Sequence, residues 1–249
     1  MQLVTEPWFW AVAIPAVVLS GLSKGGLGGA GATATPLMAL VMAPAQAAAI
    51  MLVVLCLMDI VGIRAYLWRW DRRIMRIIIP AGVLGCAIGA VTFRQMNDNW
   101  IRILIGVIVL GYLGYTLYPR KSLLGKPADG AGWFWGTVSG FASFVTHSGS
   151  PPLMVYLLPQ RLEKDAFIAT CLVYFAAINY AKILPYWWLG LLDLRNIATA
   201  VALVPAGIGG IYLGIWLQRR MNARWFYRML YALFFVTGAK LLYDGISGL

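Results

Sequence analysis

The chain has 249 residues, of which 61% are hydrophobic and only 12% charged, and its mean hydropathy is +0.77. A soluble domain is about 45–50% apolar and about 25% charged, so a water-soluble enzyme, a disordered chain and a disulfide scaffold are all excluded in favour of a polytopic helical membrane protein. The net charge of +11 sits mostly in short loops between apolar segments, as the positive-inside rule expects, and predicts a lipid bilayer as partner and no nucleic acid.

In chain order, Met1 to Pro7 carries Glu6 and no Lys or Arg. It lacks the basic start of a secretory signal, and the first apolar stretch is expected to be retained. Residues 8–22 are apolar and end in Gly21-Leu22-Ser23-Lys24-Gly25-Gly26-Leu27-Gly28-Gly29-Ala30-Gly31, before a short apolar run at 36–43. Glycine at this density predicts an unwound stretch between two helices. Spans of roughly 20 residues, enough to cross a bilayer core, follow at 45–67, 75–93 and 100–118. Residues 133–145 then repeat the broken pattern: they run into Thr146-His147-Ser148-Gly149-Ser150-Pro151-Pro152 and a second short run at 153–158. Three more spans follow at 165–187, 196–217 and 225–243. Trp68, Trp70, Trp100, Trp187, Trp188 and Trp225 edge these spans as an interfacial belt would. Non-helical backbone at membrane depth is tolerated only where it is buried in protein or lines a wet cavity.

The sequence repeats internally. Residues 80–118 and 205–243 share 11 identities in 39 ungapped positions, among them Pro80-Ala81-Gly82 with Pro205-Ala206-Gly207, and Gly85 and Gly89 with Gly210 and Gly214. A shift of 120 aligns Ala49, Leu52, Val53, Ile63, Tyr66 and Trp68 with Ala169, Leu172, Val173, Ile183, Tyr186 and Trp188. The breaks correspond as Gly21 to Gly140 and Pro36 to Pro152. The basic bias changes loop between the halves. Loop 64–76 holds five arginines and its counterpart near 188–198 only Arg195. The next loop reverses this, with Arg219, Arg220, Arg224 and Arg228 in 219–228. Placing 64–76, 119–131 and 219–228 in the cytoplasm puts both termini outside. The expected fold is an all-α polytopic membrane protein of two inverted-topology repeats. Each would have a broken or re-entrant helix pair plus three transmembrane helices, residues 1–122 and 132–249, joined by a cytoplasmic linker at 123–131. Inverted repeats are a signature of secondary transporters.

The candidate chemistry lies in the breaks. Ser150 before Pro151 and Pro152, and Thr33 or Thr35 before Pro36, read as helix starts. Inversion would aim these two N-termini at one place near the midplane, with free N–H donors and a partial positive charge suited to an anion. Gly28, Gly29 and Gly149 would let backbone approach the ligand. Lys24 is either a cation in a wet, anion-holding cavity or a lysine snorkelling to an interface. His147 is a donor to an oxyanion, a proton carrier, or a neutral ring bonded to unwound backbone. Ser143, Thr146, Ser148 and Ser150 supply hydroxyls to a ligand or to backbone. Asp59 and Asn179 are equivalents under the 120 shift, and Asp59 lies about 13 Å from the Trp68 interface at 1.5 Å per residue. It is a proton site or the partner of Lys24. Lys182 shares a face with Asn179 at i+3 and either attracts the anion or snorkels outward. Lys240 with Asp244 reads as an interfacial pair.

Cys56, Cys86 and Cys171 lie inside apolar segments without CxxC spacing, and there is one histidine. Neither a disulfide nor a metal centre is expected, and no cofactor. The Gly132-x3-Gly136-x3-Gly140 ridge, Gly85-x3-Gly89 and Gly210-x3-Gly214 predict close helix packing, within a protomer or across a homodimer.

The break after the first helix, the second break from Gly140 to Pro152, the Asn179–Lys182 helix and the Pro-Ala-Gly repeats together resemble the TauE/SafE family of sulfite exporters, also called toluene-sulfonate uptake permeases. The resemblance covers nearly the whole chain. It departs at Thr146–Pro152, where many members carry a glycine-richer run. It implies transport of small sulfur anions such as sulfite, sulfoacetate and other organosulfonates, or thiosulfate-like anions, across a bacterial inner membrane. The combined reading is an exporter that binds its anion between the repeats. The alternatives are a proton-coupled importer or a channel for the same anions, or a membrane-embedded scaffold or enzyme. One histidine and one mid-span carboxylate are thin for catalysis.

Overall fold

The computed structural model describes residues 6–25, 30–64, 69–117, 128–220 and 223–249. Among these residues the chain is all helix. The ten α-helices are α1 (Pro7–Lys24), α2 (Ala34–Met38), α3 (Pro44–Arg64), α4 (Arg72–Gln95), α5 (Asp98–Leu117), α6 (Asp129–Thr146), α7 (Ser150–Leu157), α8 (Lys164–Trp188), α9 (Leu194–Arg220) and α10 (Ala223–Ser247). Short 3-10 turns at Ala30–Thr33 and Leu158–Gln160 adjoin α2 and α7.

Among the described residues five helices carry a stretch long and apolar enough to cross a membrane: Pro7–Lys24, Pro44–Ile63, Arg72–Phe93, Ala166–Trp188 and Leu194–Leu217. The segments expected at 100–118 and 225–243 are the helices α5 and α10. Outward faces are apolar. Val83, Leu84, Ile88 and Val91 on α4, and Val201, Leu213, Ile215 and Trp216 on α9, are all exposed. A face of this kind is stable against lipid or another apolar protein surface, not against water.

One expectation is corrected at α1. The glycine-rich stretch does not unwind from Gly21; the helix continues to Lys24 and ends on Gly25, whose N–H bonds to the Gly21 carbonyl. Gly21 serves packing instead. A Cβ there would lie 2.3 Å from the Gly207 carbonyl oxygen of α9. Gly140 of α6 meets α4 the same way, with a Cβ position 2.0 Å from the Gly82 carbonyl oxygen. The two contacts are equivalents, because Gly21 corresponds to Gly140 and Gly82 to Gly207. The exchange extends further. A Cβ on Gly85 would meet the Thr137 carbonyl oxygen at 2.0 Å, and one on Gly210 the Val18 carbonyl oxygen at 2.6 Å. Helix axes approach this closely only where the crossing lacks side chains.

Each half therefore packs its first helix on the other half: α1 lies mainly on α9, α6 on α4, and α5 on α10. The core follows the same interleaving. Ala47, Ala48, Ile50, Met51 and Leu52 of α3 are buried together with Tyr174, Ile178 and Tyr186 of α8. Two buried tyrosines tie α8 to α6: Tyr174 donates to the Gly136 carbonyl (3.2 Å) and Tyr186 to the Phe144 carbonyl (2.6 Å).

Candidate anion site between the two helix breaks

α6 ends at Thr146 because His147 turns into the left-handed region (φ 54°), its N–H still bonded to the Ser143 carbonyl. A non-glycine residue there is uncommon and persists only when its surroundings hold it. His147 is held at both ring nitrogens. Nε2 lies 2.8 Å from the Ala48 carbonyl of α3, and Nδ1 lies 2.7 Å from the Lys182 ammonium of α8. A carbonyl only accepts and an ammonium only donates, so the network assigns the neutral tautomer with its proton on Nε2. Lys182 is fully buried, and it also donates to the Ser143 carbonyl (3.0 Å) and hydroxyl (3.1 Å). It does not reach an interface.

α7 begins one residue earlier than the Ser-Pro-Pro pattern predicts. Gly149 occupies the cap position without a side-chain cap, and Ser150 is the first helical residue. Ser150 lines a cavity. Ser148 and Gly149 act as tethers: the Ser148 hydroxyl donates to the Ala32 carbonyl of the first break (2.8 Å), and Ser139 donates to the Gly149 carbonyl (2.7 Å). The two breaks thus touch through Ser148 and Ala32.

The last turn of α1 brings Lys24 against Asp59 of α3, and the Asn179 amide of α8 donates to the other Asp59 oxygen at 2.7 Å. Asp59 and Asn179, equivalent in the repeat, therefore bond directly to each other. Asp59 is almost wholly buried, whereas the Lys24 side chain keeps 11% of its surface open.

That opening leads into a cavity of about 390 Å³. Its polar wall comes from α1 (Ser20, Ser23, Lys24), from the second break (Ser143, His147, Ser150) and from Asn179. Its apolar wall is chiefly α8, with Phe167, Cys171, Leu172 and Phe175, and is completed by Leu55 and Met154. Among the described residues there is no grouping of His, Cys, Asp and Glu suited to a metal ion.

Of the residues singled out by sequence, Lys24, His147, Ser150 and Asn179 line this cavity, and Lys182 stands behind His147. Asp59 lies behind Lys24. Thr33 and Thr35 are buried but are not part of its wall. The helix they begin has five residues preceded by a 3-10 turn, and among the described residues of the first break Gly31 lines the cavity. Gly28 and Gly29 lie outside the described residues. Sequence reading missed Ser20 and Ser23. Their signal was the spacing to Lys24: Ser20 is four residues before it, on one helix face.

Buried ionic groups, a glycine-lined helix framework and a polar cavity between broken helices are the features of a membrane transporter. The family model for the sulfite exporter TauE/SafE matches residues 13–241, and the chain belongs to that family. It is accordingly a multi-pass membrane protein of a transporter family, with a small anion as substrate, and not an enzyme. No curated protein and no solved structure matches the chain.

Proposed function

We propose that the protein exports small sulfur-containing anions, sulfite or an organosulfonate, and that the anion binds in the cavity between the two breaks. The observation that carries this reading is the polar wall itself. It combines one partly open ammonium, Lys24, with hydroxyls of Ser20, Ser23, Ser143 and Ser150, all donors that an oxyanion can use. Ser150 opens α7, whose N-terminal dipole favours negative charge although Pro151 and Pro152 supply no N–H donor. Gly28, Gly29, Thr33 and Thr35 belong to this proposal as donors of the first break, reached when the site opens.

The exchanged packing of α1 on α9 and α6 on α4 supports an inverted repeat whose halves, 1–122 and 132–249, interlock around the cavity. Loops 64–76, 119–131 and 219–228 then face the cytoplasm of a bacterial inner membrane, with both termini outside. An anion leaving a cell negative inside gains about 2.3 kcal/mol per charge at 100 mV, so export runs without a coupled ion. The neutral, doubly bonded His147 fits a role in holding the second break rather than carrying a proton.

The test is electrogenic flux in proteoliposomes, with sulfite, sulfoacetate, taurine, thiosulfate and sulfate supplied in turn. A saturable current with sulfite or a sulfonate and none with sulfate is expected. Lys24→Ala and Ser150→Ala should each lose it while staying folded; wild-type current in both would move the site elsewhere.

A further inference from the structure

The charges around the cavity do not balance. Among the described residues the ionic side chains at or behind its wall are the partly open Lys24 and the buried Asp59 and Lys182. Lys24 and Asp59 face each other and cancel. Lys182 meets three neutral acceptors, the Ser143 carbonyl, the Ser143 hydroxyl and His147 Nδ1. Those three contacts match the three N–H donors of an ammonium. His147 is neutral by its own hydrogen bonds. The first break cannot change the sum, because Gly26-Leu27-Gly28-Gly29 has no ionisable side chain. One positive charge, that of Lys182, therefore stands fully buried beside the polar wall with no protein anion to meet it.

We infer that the site selects its anion by valence, accepting one negative charge, and that Asp59 sets this limit by occupying Lys24. The inference rests on the transport reading above and narrows it. A monoanion in the cavity would bring the buried sum to zero. A dianion would leave a negative charge desolvated without a partner, and burying an unpaired ion is strongly unfavourable. It could recruit Lys24 only by expelling Asp59, which is itself buried and bonded by Asn179. Hydrogensulfite and a simple alkanesulfonate fit; sulfate, a disulfonate, and sulfoacetate with both acid groups ionised do not. Repulsion built against the wrong ligand is a common source of specificity.

The decisive comparison uses ethanesulfonate and ethanedisulfonate, strong acids whose valence does not vary with pH. In wild-type proteoliposomes, saturable flux of the monosulfonate should exceed that of the disulfonate at least about tenfold. Asp59→Asn frees the Lys24 charge and should bring the two fluxes within about threefold. The double variant Lys24→Gln with Asp59→Asn restores the original sum; it loses the Lys24 donor and should carry little flux, but the monosulfonate should again raise its thermal midpoint more than the disulfonate does. Thermal stabilisation of the detergent-solubilised wild type reads binding without any variant: the monosulfonate should raise the midpoint and the disulfonate should not at equal concentration. Equal flux and equal stabilisation by both in the wild type would overturn the valence limit and leave the transport reading standing. An unchanged ratio in folded Asp59→Asn would overturn the role of Asp59. No saturable flux of either sulfonate or of sulfite would overturn the transport reading itself.

Discussion

The two halves agree where helices cross and disagree where they meet the cavity. At the crossings the same glycines recur: Gly21 on Gly207 of α9, and Gly140 on Gly82 of α4. Along α1 and α6, one turn further on, Lys24 in the first half corresponds to Ser143 in the second. Along α3 and α8, Asp59 corresponds to Asn179 and Gly62 to Lys182. Each half thus supplies one lysine at the cavity, the partly open Lys24 and the buried Lys182, from different helices, and only the first supplies a carboxylate. Duplication preserved the small residues that let backbones touch, since every copy of the crossing needs them. The charged positions differ between the halves, and it is this difference on which the proposed valence limit rests.

If the crossings are the common framework, filling one should do the greatest damage. In Gly140→Ala the new Cβ would sit 2.0 Å from the Gly82 carbonyl oxygen and 2.7 Å from its carbon, so α6 must move off α4. A loss of about 3 kcal/mol or more is expected, read as little folded protein or a large drop in the thermal midpoint in detergent. Gly21→Ala should behave alike. Gly209→Ala is the control, because nothing lies within 4 Å of a Cβ there, and it should cost nothing. Parity between Gly140→Ala and Gly209→Ala would show that the crossings are not what holds the halves together.

The second effect tests the divergence. Asp59→Ala strands the Lys24 ammonium in a poorly solvated place and should cost about 3 kcal/mol, the lower end for a broken buried pair because the cavity admits water. Asn179→Ala at the equivalent position removes one hydrogen bond to that carboxylate and should cost about 2 kcal/mol. Equal losses would mean that Lys24 finds another partner when Asp59 is gone.

Much of this was legible in the sequence, for reasons that separate the two kinds of position. The spans could be read because lipid demands long apolar runs, and the repeat because the Pro-Ala-Gly crossings were duplicated intact. The pairing of Lys24 with Asp59 could be named as one alternative, since few groups at membrane depth can neutralise a lysine. What failed was the local reading of glycine. A run rich in Gly signals either a break or a close crossing, and Gly21 is the second, inside a helix that continues to Lys24. Which partner a hydroxyl finds was also hidden. Ser148 and Ser150 are two residues apart, yet one ties to Ala32 and the other lines the cavity. That depends on the left-handed turn at His147, which no spacing announces.

A smaller contrast lies between the hydroxyls of the two breaks. Ser148 is buried and donates at 2.8 Å to the Ala32 carbonyl, so Ser148→Ala should cost about 1 kcal/mol. The Thr35 hydroxyl is also buried but has no hydrogen-bond partner. Thr35→Val, which keeps the shape and removes the polar atom, should leave stability unchanged or raise it by up to about 1 kcal/mol. A native structure keeps such an orphan only for a reason. If Thr35→Val is as stable as the wild type but loses flux, the reason is an anion met by the first break in another state of the cycle. If both stability and flux are kept, Thr35 has no part in the site.

The smallest effect belongs to the pair that sequence spacing predicts most simply. Lys240 donates to both Asp244 oxygens, at 3.0 and 2.9 Å, one helical turn apart on α10. Its lysine is 56% exposed, far from the enclosure that makes Lys24 and Asp59 matter to each other. An i,i+4 pair in that setting contributes about 0.3–0.5 kcal/mol at most. Lys240→Gln should therefore shift the thermal midpoint by less than the error that separates Ser148→Ala from wild type, with flux unchanged. A loss comparable to that of Asp59→Ala would mean that the face of α10 bearing this pair is covered in the assembled protein, and that the α5–α10 side is an interface rather than a lipid boundary.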